Sequence, residues 1–345
     1  MKILLFKIGA IGDALMTTPL IRQLRKNFPN AQIDYLIGKH AHAVLEGNIY
    51  LNNLYNFDEY IFIKKDINKW LRLIFKIRKR DYDIVIVLDK HWIFNLTAFL
   101  SGIKKRVGFD RFGEGRFLTH KVPYFGRKHE IFYYLDLLNG LEIEPNYDDW
   151  KMDIFLSEKE MEFAEKFWRV NNLNNKTVIG VCPGGANNPG IGNDDLRRWD
   201  IIKYIELIKK LKENEYEVLL IGGKTDRSIE EKILKEVRCF STVGKTTLKE
   251  SASLLKKCDV VVCNDSGPMH LAAAVNEKII SIFGPTHPSE KAPLHKESIY
   301  LWKQVGCNPC YDLYGRHPNP CPYKKKCMRE IKVEEVLDFI FKMTN

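Results

Sequence analysis

The stretch from Cys258 to Ala274 constrains the fold more than any other part of the chain. It reads Cys258-Asp259-Val260-Val261-Val262-Cys263-Asn264-Asp265-Ser266-Gly267-Pro268-Met269-His270-Leu271-Ala272-Ala273-Ala274. A short apolar run ends in a polar turn and opens into an alanine-rich segment. That order predicts strand, turn and helix in an open α/β sheet, where ligands sit at the carboxyl ends of the strands. The turn offers an acid, a hydroxyl and a glycine, with a histidine one turn into the helix. A helix N-terminus adds N–H groups and partial positive charge, and Pro268 suits an early helical position. These features predict a pocket for a nucleotide diphosphate.

The same grammar recurs along the chain. Ile3 to Ile8 reads as a buried strand, followed by the turn Gly9-Ala10-Ile11-Gly12-Asp13. An amphipathic helix with Met16, Leu20, Leu24 and Phe28 on one face comes next, with Thr18-Pro19 as its cap or as a mild kink. Ile33 to Ile37 is the second strand. The first turn is G-x-x-G, not the G-x-G-x-x-G of a dinucleotide site, and Asp34 lies early in its strand, so a nicotinamide cofactor is not expected. Asp13, just past a strand end, is the acid of interest, though it is also a good helix cap. Asp81-Tyr82-Asp83 has the D-x-D form of a metal motif but precedes the strand Ile84 to Leu88, which favours a strand-initiating turn. Tyr147 to Leu156 reads as a strand and connector, and Ser157-x-x-Glu160 as a capping box.

The second half begins with Val178 to Cys182 and the turn Pro183-Gly184-Gly185-Ala186, then an Asn- and Gly-rich loop and Arg197-Arg198-Trp199. Val218 to Ile221 leads into Gly222-Gly223-Lys224, a further candidate ligand edge. Ile279 to Phe283 ends in Gly284-Pro285-Thr286. Alternating strands and helices predict an α/β protein with a parallel sheet in each half. The domains are expected at 1–170 and 171–330, with a last helix, 331–345, whose stripe of Val333, Val336, Leu337, Ile340 and Phe341 must pack on something.

Charge is unevenly spread. Of a formal +10, the segment from Lys64 to Lys128 holds 17 Lys+Arg against 6 Asp+Glu, which leaves the remainder near neutral. So lopsided a block suggests an anionic partner. Lys104, Lys105, Arg106, Arg111, Arg116 and His120, in a stretch with several glycines, are the candidates to clasp it. A nucleic-acid-binding protein is the rival reading, disfavoured because the block lacks interleaved aromatics at regular spacing. The opening residues do not read as a signal peptide, and no apolar run approaches the ~18 residues of a membrane span. A cytoplasmic location is expected. Cys182, Cys239, Cys258 and Cys263 fall in or near apolar runs and read as core residues. Cys307, Cys310, Cys321 and Cys327 cluster within 21 residues and could hold a structural zinc or iron–sulfur group, remain reduced thiols in a loop, or form disulfides.

Taken together and in order, these motifs resemble glycosyltransferase family 9, the lipopolysaccharide heptosyltransferase family, over essentially the whole length. The carrying residues are Lys7-x4-Gly12-Asp13 with Pro19 and Leu24-Arg25, Pro183-Gly184-Gly185-Ala186, Arg197-Arg198-Trp199, Asn264 to Ala272, and Phe283-Gly284-Pro285-Thr286. The resemblance implies the GT-B architecture of two facing Rossmann-like domains. The acceptor would sit on the N-terminal one and the nucleotide-sugar on the C-terminal one, and the last helix would cross back. It implies inverting transfer, with no metal or other cofactor required for catalysis, from a nucleotide-sugar such as ADP-heptose to an anionic glycan or glycolipid, which the basic block from Lys64 to Lys128 would meet at the inner membrane surface. Asp13 matches the catalytic base. Gly184, Gly185, Arg197 or Arg198, Asp265, Ser266, Gly267 and His270 match the donor and diphosphate site. A sugar-nucleotide epimerase of the same architecture is the alternative enzyme.

Overall fold

The computed structural model describes residues 1–185, 187, 188, 192, 193, 195–311 and 320–345. The chain divides into two compact units, Met1–Phe155 and Leu156–Asn345.

The first unit carries β1 (Lys2–Lys7), β2 (Gln32–Gly38), β3 (Asn53–Phe57), β4 (Ile84–Val87), β5 (Lys105–Asp110) and β6 (His120–Pro123), in the order β3-β2-β1-β4-β5-β6. All pairings are parallel. β1 and β4 are covered on both faces, which is why they read as continuous apolar runs. The amphipathic segment after β1 is two helices, Ile11–Leu15 and Thr18–Asn27, with Pro19 in the first turn of the second, where its missing N–H costs nothing.

The second unit carries β7 (Val178–Cys182), a small antiparallel pair of β8 (Asn187–Asn188) and β9 (Gly192–Asn193), then β10 (Glu217–Leu220), β11 (Phe240–Ser241), β12 (Val260–Asn264), β13 (Ile279–Phe283) and β14 (Ile299–Trp302). Its main sheet repeats the topology of the first, β11-β10-β7-β12-β13-β14, again all parallel. In each unit the strand order reverses beside the first strand, between β1 and β4 and between β7 and β12. Those reversals are the crevices where open α/β sheets bind ligands.

Two expectations about boundaries change. The capping-box helix Glu158–Val170 belongs to the second unit, not the first. Its Ala164 and Trp168 are buried, and Glu165 meets Lys257 at 2.6 Å. The last helix, Val333–Thr344, also lies in the second unit. Val333, Val336, Leu337 and Ile340 join Tyr204, Leu207, Ile208 and Leu211 in one core, so the apolar stripe assigned to the N-terminal domain is covered here. Tyr147 to Leu156 forms no strand. It is a connector held by Arg22, which donates to Asp149, Asp153 and the carbonyl of Lys151.

Candidate active site

In the first unit, Asp13 lies in the first turn of the helix that follows β1, half-buried at the strand-order reversal. Asp89, immediately beyond β4, closes the same edge. One carboxylate oxygen accepts the backbone N–H of Ile8 at 2.5 Å, and the other accepts Lys7 Nζ at 3.2 Å. Lys7 is buried under the ring of Tyr134, 5.2 Å from its centroid. Burial works against the Lys7 charge, but Asp89 and Asp13 outweigh it and raise the lysine above its ordinary pKa. Lys90 moves the opposite way. Burial, with the charge of Lys7 beside it, outweighs the 2.9 Å salt bridge to Glu130 and lowers its pKa. Burial and the negative charges of Asp13, Glu130 and Asp89 hold the Tyr134 hydroxyl neutral. The edge is therefore a fixed lattice of alternating charges around Asp13.

Replacing Lys7 by Met should destabilise the protein by about 3–5 kcal/mol, because Asp89 loses its buried partner. The sign of the pH dependence follows from the raised lysine pKa. The contribution is complete below the unfolded lysine value of ~10.4 and disappears only as pH rises through the higher folded value. Urea unfolding of wild type and Lys7→Met should show a constant gap from pH 7 to 10. A gap that narrows across that range would contradict the assignment.

In the second unit, the turns after β7 and β12 interlock. Asn264, fully buried at the end of β12, donates to the carbonyls of Pro183 and Gly184 and accepts from Trp199 N and the Tyr204 hydroxyl. Gly185 has φ +86°, and a Cβ there would stand 2.6 Å from the Ser266 side chain. Only glycine fits that approach. Asp226, buried beyond the Gly222-Gly223 turn, accepts the N–H groups of Gly185 (3.1 Å) and Gly223 (2.9 Å). Arg198 donates through Nε to the Gly185 carbonyl at 3.0 Å and lies 3.9 Å from Asp226, so its guanidinium braces the turn. Arg197 points elsewhere, with a terminal nitrogen 3.7 Å from Asp265. Asp265 is almost wholly buried. One oxygen accepts Thr286 Oγ1 at 2.6 Å, and the other has no hydrogen-bond partner among the described residues. An orphaned carboxylate oxygen costs about 1–3 kcal/mol and marks a place for a ligand donor. Ser266 does not cap the helix Gly267–Ala273; its hydroxyl donates to the Asn264 carbonyl, and His270 is buried one turn further on.

The structure thus brings Gly184, Gly185, Arg197, Arg198, Asp265, Ser266, Gly267 and His270 to one edge of the second sheet. Much of the loop expected to shape base or sugar contacts, including Ala186, 189–191 and 194, lies outside the described residues. The acceptor candidates do not share one edge. Lys105 and Arg106 open β5, Lys104 precedes it, and His120 opens β6. Six residues of strand span about 20 Å, so Lys104, Lys105 and Arg106 start at the end of the sheet opposite Asp13, whereas His120, in register with Val107, starts midway along it. Arg106 is further committed to the carbonyls of Ile103, Lys104 and Phe117, and His120 borders a cavity of about 530 Å³ with Lys121, Lys128 and Asp136. Arg111 and Arg116 follow β5 on the Asp13 side. Arg111 is paired with Glu114 at 2.7 Å, whereas Arg116 is exposed above Trp92. Asp89, Asp226 and Asn264 were not singled out from sequence as site residues, although each follows or ends an apolar run, which was the available signal.

Two of the three acids that sequence offered for other chemistry serve the fold. Asp34 accepts from Gln32, Asn53 and the Tyr82 hydroxyl, and Asp83 accepts the N–H of Lys2, so Tyr82 and Asp83 anchor the start of the sheet. Cys182, Cys258 and Cys263 are buried, as core residues should be. Among the described residues the C-terminal cysteines form no disulfide. Burial, with Cys307, Cys310 and Cys321 nearby, pushes the Cys327 thiol up to about 11. Among the described residues no group of three or more His, Cys, Asp or Glu side chains is placed to hold a metal ion.

Two Rossmann-like units, each with its ligand edge at the strand-order reversal, define a GT-B-like α/β fold, the architecture of nucleotide-sugar enzymes. The model of glycosyltransferase family 9 (heptosyltransferase) matches residues 70–317, and the chain belongs to that family. It is 27% identical to lipopolysaccharide heptosyltransferase 2 of Escherichia coli K12 over 318 residues, 87% of each protein. In fold it is similar to E. coli ADP-heptose lps heptosyltransferase II (TM-score 0.78, 23% identity, 99% of this chain and 98% of that one). It is also similar to E. coli heptosyltransferase WaaC with ADP (TM-score 0.73, 17% identity, 99% and 100%).

Proposed function

We propose that this chain transfers heptose from ADP-heptose to a lipopolysaccharide or lipooligosaccharide core acceptor in the cytoplasm, inverting the anomeric centre without a divalent metal. The observation that carries this reading is family membership over residues 70–317 in a chain that places an acid and an anion-type turn at its two strand-order reversals. The acceptor hydroxyl oxygen bonds to the anomeric carbon as the bond from that carbon to the diphosphate oxygen breaks. The electron pair leaves with ADP, and the hydroxyl proton passes to the Asp13 carboxylate. An ordinary carboxylate, near pKa ~3.9, is a weak base for an alcohol, so the proton moves late, once the attacking oxygen has become acidic. Arg197 supplies positive charge to the departing diphosphate in bidentate fashion. The orphaned oxygen of Asp265 accepts a hydroxyl of the donor, and Ser266 and Gly267 contact the phosphates beside Gly185.

Purified protein incubated with ADP-heptose and a heptose-deficient core acceptor should release ADP and form a product of inverted configuration by NMR, with EDTA making no difference. ADP-heptose turnover that ignores the acceptor would point to the epimerase or hydrolase class instead. Loss of activity in EDTA, restored by a divalent ion, would remove the metal-independent mechanism.

A further inference from the structure

The helix Ile67–Arg78 has three faces of different character. Leu73, Ile74 and Ile77 are buried, Leu73 and Ile77 in the core with Phe6 and Phe94, and Trp70 anchors the helix by donating to Thr97 at 2.8 Å. A second face is apolar but uncovered. Ile67, Leu71 and Phe75 fall at four-residue spacing, on one stripe, and are 65%, 42% and 59% exposed. Tyr60 and Ile63, on the short helix just before it, are exposed as well. The third face carries Lys69, Arg72 and Lys76, one after another around the helix from the apolar stripe. Residues 64–80 hold eight Lys and Arg against a single acid, Asp66. Exposed apolar side chains with a basic flank at this density are the signature of a helix that lies in the plane of a lipid surface. Among the described residues, no helix is long and apolar enough to cross a membrane.

We infer that Ile67–Arg78 is a membrane-docking helix that seats the first unit on an anionic phospholipid surface. Ile67, Leu71 and Phe75 enter the boundary between headgroups and acyl chains, and Lys69, Arg72 and Lys76 meet the phosphates. Charge complementarity selects this occupant. A protein partner bound through the apolar stripe alone would leave the basic flank unexplained, and a polyanion bound through the flank alone would leave Leu71 and Phe75 unexplained. The inference deepens the proposed function by placing the reaction where a lipid-linked core would be found, yet it stands on the surface of this helix and needs neither donor nor acceptor.

The test is sedimentation of the full chain with sucrose-loaded vesicles, either pure phosphatidylcholine or containing 30–40% phosphatidylglycerol (roughly −30 to −50 mV at the surface). Binding to the anionic vesicles and little to the neutral ones is expected. The double substitution Leu71→Ser/Phe75→Ser should lower the partition coefficient at least about tenfold. Lys69→Glu/Lys76→Glu should lower it at least about 25-fold, at roughly fivefold per lysine removed, and salt should weaken wild-type binding. Both variants alter exposed side chains, so unchanged thermal melting and an unchanged ADP-induced shift confirm an intact fold. Equal binding by wild type and both variants overturns the inference, as does equal binding to neutral vesicles. Absence of vesicle binding together with dimerisation lost in Leu71→Ser/Phe75→Ser assigns the face to a second copy instead. Tight RNA binding lost only in the lysine variant would assign the flank to nucleic acid. Failure here leaves the transfer assay untouched, and failure of the transfer assay leaves vesicle binding untouched.

Discussion

Asp13→Asn should lower kcat for heptose transfer by about 10²–10⁴-fold, the usual contribution of a positioned general base, while leaving the ADP-induced rise in melting temperature unchanged. Asparagine keeps the size of the side chain and removes its capacity to take a proton. Asp13 sits in the first turn of a five-residue helix at the carboxyl end of β1, with the Lys7 charge and the bridging carboxylate of Asp89 fixed behind it. The Asp13 charge acts on Lys7, but the Asp89 bridge between Lys7 and Ile8 does not run through it, so the substitution should alter chemistry without dismantling the edge. The ADP shift reports the second unit, whose turn after β12 holds the donor residues. Near-normal turnover by Asp13→Asn would require another base. Loss of the ADP shift would mean that Asp13 serves donor binding, not proton transfer.

The second large effect separates two neighbouring arginines. Arg197→Ala is expected to reduce kcat/KM by about 10²–10³-fold, the range seen when one preorganised charge-stabilising group is removed, and to abolish most of the ADP shift. Arg198→Ala is expected to act mainly on stability, at about 1.5–3 kcal/mol for a lost charged hydrogen bond. Both side chains are 13% exposed, so burial does not tell them apart; their partners do. Arg198 donates to Gly185 and lies beside Asp226, which itself holds Gly185 and Gly223. Arg197 faces Asp265, whose second oxygen lacks a partner among the described residues. Steady-state kinetics and urea unfolding on the two variants settle the matter. A reversed pattern, with Arg197→Ala unstable and Arg198→Ala catalytically dead, would exchange their roles.

Much of this site was legible because short-range chemistry writes it. An apolar run followed by Asn264-Asp265-Ser266-Gly267-Pro268 can hardly be anything but a strand end opening a helix, and Gly185 announces a close approach. The acids rejected as ligands were judged by position relative to their strands, and Asp34 and Asp83 do serve the sheet instead. The misplaced residues share a cause. Lys104, Lys105, Arg106 and His120 look like part of one basic loop, but β5 and β6 begin among them, which puts the first three at the edge opposite Asp13 and His120 midway along the sheet. Sequence shows that a segment is basic, whereas the direction of a parallel strand decides which end of the sheet that charge reaches.

The alternation of strands and helices, the two glycine-bearing turns, the family motifs and the position of Asp13 can all be read from the order of residues, because each depends on neighbours a few residues away. That Asp89 bridges Lys7 to Ile8 and that Asp226 underlies Gly185 emerges once the chain has folded. Folding likewise sets Arg198 to brace Gly185 while Arg197 faces Asp265, and seats the last helix in the core of the second unit. Those pairings join residues from 13 to more than 130 positions apart. Apolar side chains specify burial but not a partner, and a charged side chain specifies a need but not who meets it. Partner choice is settled only when the sheet order brings distant strand ends together.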